Sequence, residues 1–200
     1  MLNQDNVWLR KDVADAQKEL VLKQLADPLK FAPYFYFHEA MKHVKMVSGR
    51  ILDCGSGVGH YGLFCEKHYP QWDYCGTDYS PAMIERARGL VPLGSFKTCS
   101  FFDNTFKAYD VVLVSQVMEH TPDPLEALDF VLLHTRGYLI LHRVRLVKAY
   151  SHKIDEKTYL DIPTTNFEWN RRQFLKRLGS HILIPWMDGY QFTIVVTPDV

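Results

Sequence analysis

Short apolar segments alternate with helical ones through the middle of the chain, and this alternation constrains the fold more than any other feature. Apolar segments occupy residues 50–54, 72–77, 95–101, 109–115 and 137–147. Segments with helical periodicity lie between them: one that ends at residue 64, then 81–88 and 124–135. Alternation of this kind predicts a parallel sheet with helices on both faces, an α/β fold of the doubly wound type.

The C-terminal part departs from this alternation. A predicted helix at residues 168–178 precedes two apolar segments, 181–186 and 190–197, which Met187, Asp188 and Gly189 separate. Asp-Gly between two apolar segments indicates a hairpin, so the last strands should be antiparallel. Residues 148–167 carry no periodic signal, and a connection of this length in a compact domain is a candidate functional loop.

The N-terminal part is predicted to be helical. Apolar residues recur at a helical period through residues 7–25, and the aromatic stretch 31–47 predicts a second helix that leads into the sheet. Two hundred residues suffice for one domain with a sizeable core and are too few for two ordinary ones.

Charge and cysteine usage limit the kinds of partner. Lysine plus arginine equal aspartate plus glutamate at 23 each, so the chain offers no broad attraction to nucleic acid or to an anionic membrane. The cysteines form no C-x-x-C pair, the His and Cys spacings match no metal site, and no apolar run is long enough to span a bilayer. We therefore expect a cytoplasmic protein with a small-molecule partner and no metal; its oligomeric state stays open.

A glycine-rich loop follows the first strand. Its residues 53–59 read DCGSGVG, and glycines there let the backbone approach a ligand closely. Residues 57–62 also spell G-x-G-x-x-G, with Asp78 nineteen residues after Gly59, as in a dinucleotide site. However, that fingerprint begins about two residues late, and the Asp53 carboxylate would repel a pyrophosphate but suit an ammonium group. The loop therefore favours a nucleoside that carries an ammonium.

Four segments in order carry a family resemblance: D-x-G-x-G-x-G, GTDYSPAMIERAR, FFDN and YDVVLVSQVMEHTPDPLEAL. Together they resemble the class I S-adenosylmethionine-dependent methyltransferases, in the small-molecule branch, over residues 50–147. The resemblance implies a Rossmann-like seven-stranded sheet, mostly parallel with an antiparallel C-terminal hairpin strand, and S-adenosylmethionine as cofactor. It divides the single domain into an N-terminal helical lid (1–48), a cofactor-binding core (49–147), and an acceptor loop, helix and terminal hairpin (148–200).

The resemblance also implies a cofactor site at the carboxyl ends of the strands. The glycine loop would hold the methionine part, the acid after the second strand the ribose, and residues after the third strand the adenine. A residue after the fourth strand would lie under the sulfonium. In chain order, the implied residues are Asp53, Gly55, Gly57, Gly59, Asp78, Tyr79, Phe102, Asp103 and Gln116.

Each acidic residue of that set has a simpler interpretation. Asp53 could cap the next helix, and Asp78 could cap the helix that begins at Ser80, although Ser80 itself fits that role. Asp103 and Asn104 could form an ordinary turn. Because four segments agree, we interpret all three acids as ligand-binding.

Two histidines are candidates for proton transfer. His120 follows Glu119 just after strand four, and an imidazole titrates near neutrality, so it could accept a proton or only position the site. His142 ends strand five beside Arg143 and Arg145, and these could face an acidic substrate group or form a solvated edge.

The acceptor pocket is predicted from residues, most of them aromatic, that are not assigned to the cofactor. Tyr34, His38, Arg143 and Trp169, with His142, would line it under the N-terminal lid and the loop at 148–167. The acceptor would be a small molecule methylated on oxygen or nitrogen, since Ser115–Met118 differs from the [N/D]-P-P-[Y/F] of base-methylating enzymes. Two alternatives stay open: a non-catalytic regulatory protein that binds S-adenosylmethionine or S-adenosylhomocysteine, and an NAD-dependent oxidoreductase.

Overall fold

A computed structural model describes residues 7–148, 153–159 and 162–197, with side chains described for 7–148 and 167–197. The helices are α1 Lys11–Leu25, α2 Ala32–Met41, α3 His60–His68, α4 Pro81–Leu90, α5 Pro124–His134 and α6 Arg171–Arg177. The strands are β1 Gly49–Cys54, β2 Trp72–Asp78, β3 Ser95–Thr98, β4 Val111–Ser115, β5 Tyr138–Val147, β6 Lys153–Tyr159, β7 Ile162–Asn170, β8 His181–Pro185 and β9 Gln191–Val196.

Seven strands form the predicted sheet. Strands β3, β2, β1, β4 and β5 lie side by side and parallel, β9 pairs antiparallel with β5, and β8 pairs antiparallel with β9. The strand order reverses between β1 and β4, and in open α/β sheets ligands bind at the carboxyl ends of the strands on either side of such a point. The predicted fold class, including the antiparallel C-terminal hairpin strand, is confirmed.

The long connection after β5 is a hairpin, which corrects the prediction of an irregular loop at 148–167. Strands β6 and β7 pair antiparallel over seven residue pairs, from Lys153 opposite Glu168 to Tyr159 opposite Ile162, and β7 continues beside the end of β5. Charged residues and threonine occur at both odd and even positions of β6, which reads KIDEKTY, so the sequence carries no period-2 apolar signal there. Pairing between the two backbones defines these strands, and charged residues and threonine do not prevent it.

Side chains alternate along the strands between two hydrophobic cores, one on each face of the sheet. Ile51, Leu113 and Ile140 face α2 and α3. Leu52, Val112 and Leu139 face α5 and α6 on the other side. Both sets are buried, as expected for parallel strands covered on both faces.

The N-terminal helices pack against different parts of this core. Val13 and Ala14 of α1 are buried with Val58, Ala82 and Met83, so α1 covers the glycine loop and α4. Helix α2 packs on α3 and ends at Met41, short of the predicted stretch to residue 47. No helix in the described ranges combines the length and apolar character needed to cross a membrane.

Helix α6 is also shorter than predicted. It begins at Arg171 rather than at residue 168, because the Asn170 side chain caps it by accepting the Gln173 backbone N–H at 2.8 Å. Glu168 and Trp169 therefore belong to β7.

Candidate active site

The glycine loop has the backbone that only glycine adopts readily. Gly55, Gly57 and Gly59 have φ of 80°, 54° and 81°, in the left-handed region. A side chain on Gly55 would place its Cβ 2.2 Å from Cγ2 of Val117, so the loop after β1 lies directly against the segment after β4. The loop is fixed to β2, since the N–H groups of Gly55 and Ser56 donate to the Thr77 carbonyl at 2.7 and 2.8 Å.

Asp53, at the end of β1, is fully buried and only half satisfied. The Tyr74 hydroxyl donates to Oδ2, whereas Oδ1 has no hydrogen-bond partner among the described residues. Burial, opposed by the Tyr74 hydrogen bond, raises the pKa of this carboxyl to about 7. Asp53 does not cap α3, because the N-cap position of that helix is Gly59. A cation beside Oδ1 would satisfy the open carboxylate oxygen.

Asp78, at the end of β2, organises the loop from the other side. Its carboxylate accepts the N–H of Gly57 at 3.0 Å and that of Ser80 at 2.9 Å. Ser80 caps α4 by accepting the Met83 N–H, so Asp78 is not the cap. Each carboxylate oxygen accepts more than one hydrogen bond, so Asp78 keeps acceptor capacity for a ligand hydroxyl.

The remaining cofactor candidates surround this loop. Tyr79 and Phe102 are half-buried, and the Phe102 ring lies 5.1 Å from that of Phe130, edge to face. Asp103 is exposed in a short 3-10 turn after β3. Gln116 directly follows β4 and has φ of 53°, a strained conformation for a residue with a side chain. Strain of this kind concentrates at ligand sites.

A second group of side chains lies beside the glycine loop, at the end of β4 and in the middle of β5, which continues five residues past His142 instead of ending there as predicted. Burial is the main influence on their pKa values, and the Arg143 guanidinium is close enough to contribute to each shift. We call this group the Arg143 cluster, which comprises Tyr34, His60, Tyr61, Glu119, His142 and Arg143.

Several elements contribute to the Arg143 cluster. Tyr34 lies in the first turn of α2, where its ring stacks on Phe64 with 5.6 Å between centroids and meets His60 edge to face at 6.1 Å. His60 is the first residue of α3. The Tyr61 hydroxyl shares a 3.3 Å hydrogen bond with Oγ of Ser115, which joins α3 to the end of β4.

Arg143 owes its position to an irregular strand. The register between β5 and β9 shifts between Leu141 and Val144, and Arg143 within that shift has φ of 60°. Such a bulge re-aims a side chain relative to a regular strand. Nε of Arg143 is buried and has no hydrogen-bond partner among the described residues.

The cluster is largely neutral apart from Arg143. Burial, with a smaller effect of Arg143, lowers the pKa of His60 to about 3 and that of His142 well below its usual value. Burial raises the pKa of Glu119 to about 7, and hydrogen bonds and Arg143 oppose that shift. At neutral pH both imidazoles are uncharged, and Glu119 is the one titrating carboxyl of the cluster.

The structure divides the predicted acceptor and catalytic residues. Tyr34, His142 and Arg143 come together. His142 is buried with Nδ1 2.8 Å from Oγ1 of Thr193, whereas its Nε2 has no hydrogen-bond partner among the described residues. His38 does not join them, since its Nδ1 lies 2.7 Å from the Tyr69 hydroxyl beyond the far end of α3.

Trp169 and His120 also lie outside the Arg143 cluster. Trp169 is buried in the core on the other face of the sheet, and its Nε1 donates to Oε1 of Glu119 at 3.2 Å. His120 is exposed, with its ring 5.2 Å from that of Trp8.

Sequence reasoning missed Glu119, His60, Tyr61 and Ser56. Each presents a buried or pKa-shifted polar group to the site; Oε2 of Glu119 and Oγ of Ser56 are buried without a hydrogen-bond partner among the described residues. Glu119 carried a signal, since it precedes the chosen His120. A short turn after β4 can bury one residue and expose the next, and the sequence does not say which. No group of three or more His, Cys, Asp or Glu side chains is arranged for a metal within the described ranges.

Comparison with known proteins identifies the family. A family model described as a methyltransferase domain matches residues 19–195. An uncharacterized methyltransferase of Schizosaccharomyces pombe is 31% identical over 104 residues, which cover 44% of this chain and 36% of that protein. The matched segment thus spans about a third of the length of that curated relative.

Solved structures share the fold. Human N-acetylserotonin methyltransferase in complex with S-adenosylmethionine has a TM-score of 0.65 at 12% identity, over 96% of this chain and 58% of that one. The sugar N-methyltransferase KedS8 of a Streptoalloteichus species has a TM-score of 0.61 at 13% identity, over 90% and 92%. The chain belongs to the methyltransferase domain family. The class I S-adenosylmethionine-dependent methyltransferase resemblance and its cofactor are confirmed.

Proposed function

We propose that this chain methylates an oxygen or nitrogen of a small molecule, with the glycine loop binding S-adenosylmethionine and the Arg143 cluster binding the acceptor. The observation that carries the proposal is a concentration of unsatisfied polar atoms. Six buried atoms without a hydrogen-bond partner among the described residues lie in these two adjoining groups: Tyr34 Oη, Asp53 Oδ1, Ser56 Oγ, Glu119 Oε2, His142 Nε2 and Arg143 Nε. Buried polar atoms are otherwise nearly always paired, so such a concentration indicates a ligand site.

The cofactor half fits the chemistry of S-adenosylmethionine. Asp53 Oδ1 suits the ammonium of the methionine part, the glycine backbone allows close approach, and Asp78 has capacity for the ribose hydroxyls. Tyr79, Phe102 and Asp103 are the candidates for the adenine. When bound, S-adenosylmethionine supplies a methyl group made electrophilic by its sulfonium.

The protein's own task is then alignment, exclusion of water and handling of one proton. Helix α1 contributes to exclusion: a Cβ on Gly57 would lie 3.2 Å from the Gln17 side chain, and Arg86 of α4 holds α1 through Asp15 at 2.7 Å. Glu119 suits the proton better than the predicted histidines, since its pKa of about 7 matches neutral conditions. Burial lowers the pKa of His142 well below its usual value, which makes its imidazole a weak proton acceptor at neutral pH, and His120 is exposed.

Calorimetry followed by turnover tests the proposal. We expect binding of S-adenosylmethionine and S-adenosylhomocysteine, and none of comparable strength for NAD. Release of S-adenosylhomocysteine should then exceed the acceptor-free background with members of a panel of small hydroxy and amino compounds. Tight NAD binding with none for the sulfur ligands would support the oxidoreductase. Cofactor binding without turnover on any acceptor of a broad panel would favour the non-catalytic regulatory protein.

A further inference from the structure

Arg143 has no carboxylate partner among the described residues, in contrast to Arg145, Arg177 and Arg86. Arg145, two residues further along the same strand, pairs with Glu168 at 3.3 Å, and Arg177 and Arg86 pair with Asp129 and Asp15. No such ion pair joins Arg143 to any described residue, and its Nε is buried without a hydrogen-bond partner there. Arg143 as a whole is half-buried, but a buried Nε without an acceptor is costly to keep in a folded protein.

The neighbours of Arg143 do not neutralise it. His60 and His142 are uncharged at neutral pH, and burial keeps the phenols of Tyr34 and Tyr61 protonated because it raises the pKa of each. The Tyr34 hydroxyl is buried without a partner among the described residues and can donate a hydrogen bond. The cluster therefore offers one full positive charge, a free donor and a single carboxyl that titrates near neutrality, which is the composition of an oxyanion site.

The backbone supports a binding role for Arg143. Its positive φ within the register shift of β5 is unfavourable for a residue with a side chain, and strained conformations persist where the side chain has a task that a regular strand would not allow. Arg143 lies apart from the proposed site of the methionine part of the cofactor, since β4 lies between β1, which carries Asp53, and β5, which carries Arg143. Two strand spacings separate them by roughly 10 Å.

We propose that the acceptor carries a carboxylate or phosphate-type oxyanion, and that the Arg143 guanidinium binds this group with the Tyr34 hydroxyl as a second donor. This inference rests on the proposed function, whose acceptor it assigns to a chemical class. A guanidinium donates two parallel hydrogen bonds to such an oxyanion, which fixes the orientation of the acceptor as well as its charge. Arg143 is thus a specificity-determining residue.

The test measures small probes on the protein saturated with S-adenosylhomocysteine. Acetate and inorganic phosphate represent the two oxyanions, and acetamide is the uncharged analogue of acetate. Dissociation constants come from ligand-observed NMR at constant chloride concentration. We expect both anions to bind the wild-type protein at least about tenfold more tightly than acetamide. The ratio of phosphate to acetate affinity then distinguishes the two classes of oxyanion.

The variants Arg143→Asn and Arg136→Asn form a matched pair. Asn tolerates a positive φ, so the first keeps the backbone while removing the charge. Arg136 precedes the opposite end of β5 and is exposed, so its substitution removes the same charge from outside the site. We expect Arg143→Asn to abolish the preference for anions and Arg136→Asn to keep it. Arg143→Lys, which retains charge without the fork, should keep part of it and serves if Arg143→Asn does not fold.

Calorimetry with S-adenosylhomocysteine separates this proposal from the proposed function. If the wild-type protein binds no S-adenosylhomocysteine, the proposed function fails. If it does bind and the anions bind no better than acetamide, or equally well to Arg143→Asn, the anion proposal alone is overturned. A parallel loss of S-adenosylhomocysteine affinity in Arg143→Asn would also overturn it, because the guanidinium would then hold the carboxylate of the cofactor.

Discussion

The two halves of the site are built from the chain in different ways. The cofactor half comes mainly from one continuous stretch, in which Asp53 ends β1, the glycines follow, and Asp78 ends β2. The Arg143 cluster comes from α2, α3, the turn after β4 and the bulge in β5, between residues 34 and 143. A local motif can specify the first half, whereas only tertiary packing assembles the second.

The cost of a left-handed backbone also differs between the glycine loop and the residues Gln116 and Arg143. At Gly55 the left-handed conformation has little cost, and the sequence records it as a glycine. At Gln116 and Arg143 the same conformation costs about 1–2 kcal/mol each and leaves no mark in the sequence. The glycine loop is therefore recognisable from residue types, whereas the strained conformations of Gln116 and Arg143 depend on tertiary packing. The predictions below test this contrast.

The largest effect is expected from Gly55→Ala. A Cβ there combines left-handed strain with a 2.2 Å clash against Val117, for a loss of unfolding free energy of up to about 5 kcal/mol. Urea denaturation measures it. Gly89→Ala is the control, because Gly89 lies within α4 with nothing near its Cβ, and this change should stabilise by about 0.5–1 kcal/mol.

A double variant shows whether the clash or the backbone dominates at Gly55. Adding Val117→Ala removes the two methyl groups that lie nearest the new Cβ, so part of the lost stability should return. Stability unchanged by Gly55→Ala would mean that the loop after β1 does not pack against the segment after β4.

Asp53→Asn should stabilise the protein at high pH and weaken the cofactor site. The folded-state pKa of about 7 exceeds the ordinary 3.8, so the native state holds the proton more tightly and stability falls as pH rises from about 4 to 7. Replacement removes this penalty, which is on the order of 4 kcal/mol at pH 8. Thermal unfolding should thus favour the variant at pH 8 and show little difference at pH 4.

Calorimetry completes the Asp53 test. Without the carboxylate, affinity for S-adenosylhomocysteine at pH 8 should drop by at least about tenfold, the loss of one charged contact to an ammonium. A variant that is less stable at pH 8 than the wild type would contradict the buried, half-satisfied environment of Asp53.

The sequence specified the conformation of the glycine loop for a physical reason. Gly55, Gly57 and Gly59 stand where the backbone takes a left-handed φ, which glycine adopts most readily. Ser80, as predicted, caps α4 and leaves Asp78 free for other partners. The parallel sheet followed from the alternation of apolar and helical segments, and the antiparallel C-terminal hairpin from Asp188-Gly189 between two apolar segments.

The other half depended on contacts between distant segments, and prediction there was uneven. Trp169 is predicted for the acceptor pocket on account of its aromatic ring, yet β7 places it in the core on the opposite face of the sheet. The sequence did not reveal this strand, because the hairpin to which it belongs carries no apolar periodicity. His38 and Tyr34 lie one turn apart on α2, but packing against α3 sends them to different ends of that helix. His60 was seen only as a position within the glycine motif.

Glu119→Gln tests the proton acceptor of the Arg143 cluster. The amide can still accept the Trp169 N–H but cannot take a proton, so turnover should fall by about 10²-fold or more while S-adenosylhomocysteine affinity changes little. In the wild type, the rate with an acceptor hydroxyl should rise with pH around 7 as Glu119 ionises, and this inflection should vanish in the variant. An unchanged profile would remove Glu119 from the proton transfer.

Asp78→Ala should affect the cofactor half alone. Loss of its carboxylate should weaken cofactor binding by about 1–3 kcal/mol, since charge-assisted hydrogen bonds are left unmade. Asp73→Ala, at an exposed position of the same strand, is the matched control and should leave calorimetric affinity unchanged. Equal affinities for the two variants would restrict Asp78 to holding Gly57 and Ser80.

The smallest effect is expected at His120, the neighbour of Glu119 that the sequence favoured. Its ring is exposed and packs beside Trp8, so His120→Ala removes a surface contact and leaves the buried carboxyl and its Trp169 hydrogen bond intact. Stability should change by about 0.5 kcal/mol or less, as for most surface substitutions. Turnover should stay within about twofold of wild type, with the pH inflection retained. A hundredfold loss of turnover at His120, with Glu119→Gln near wild type, would reverse the assignment and return the proton to the imidazole.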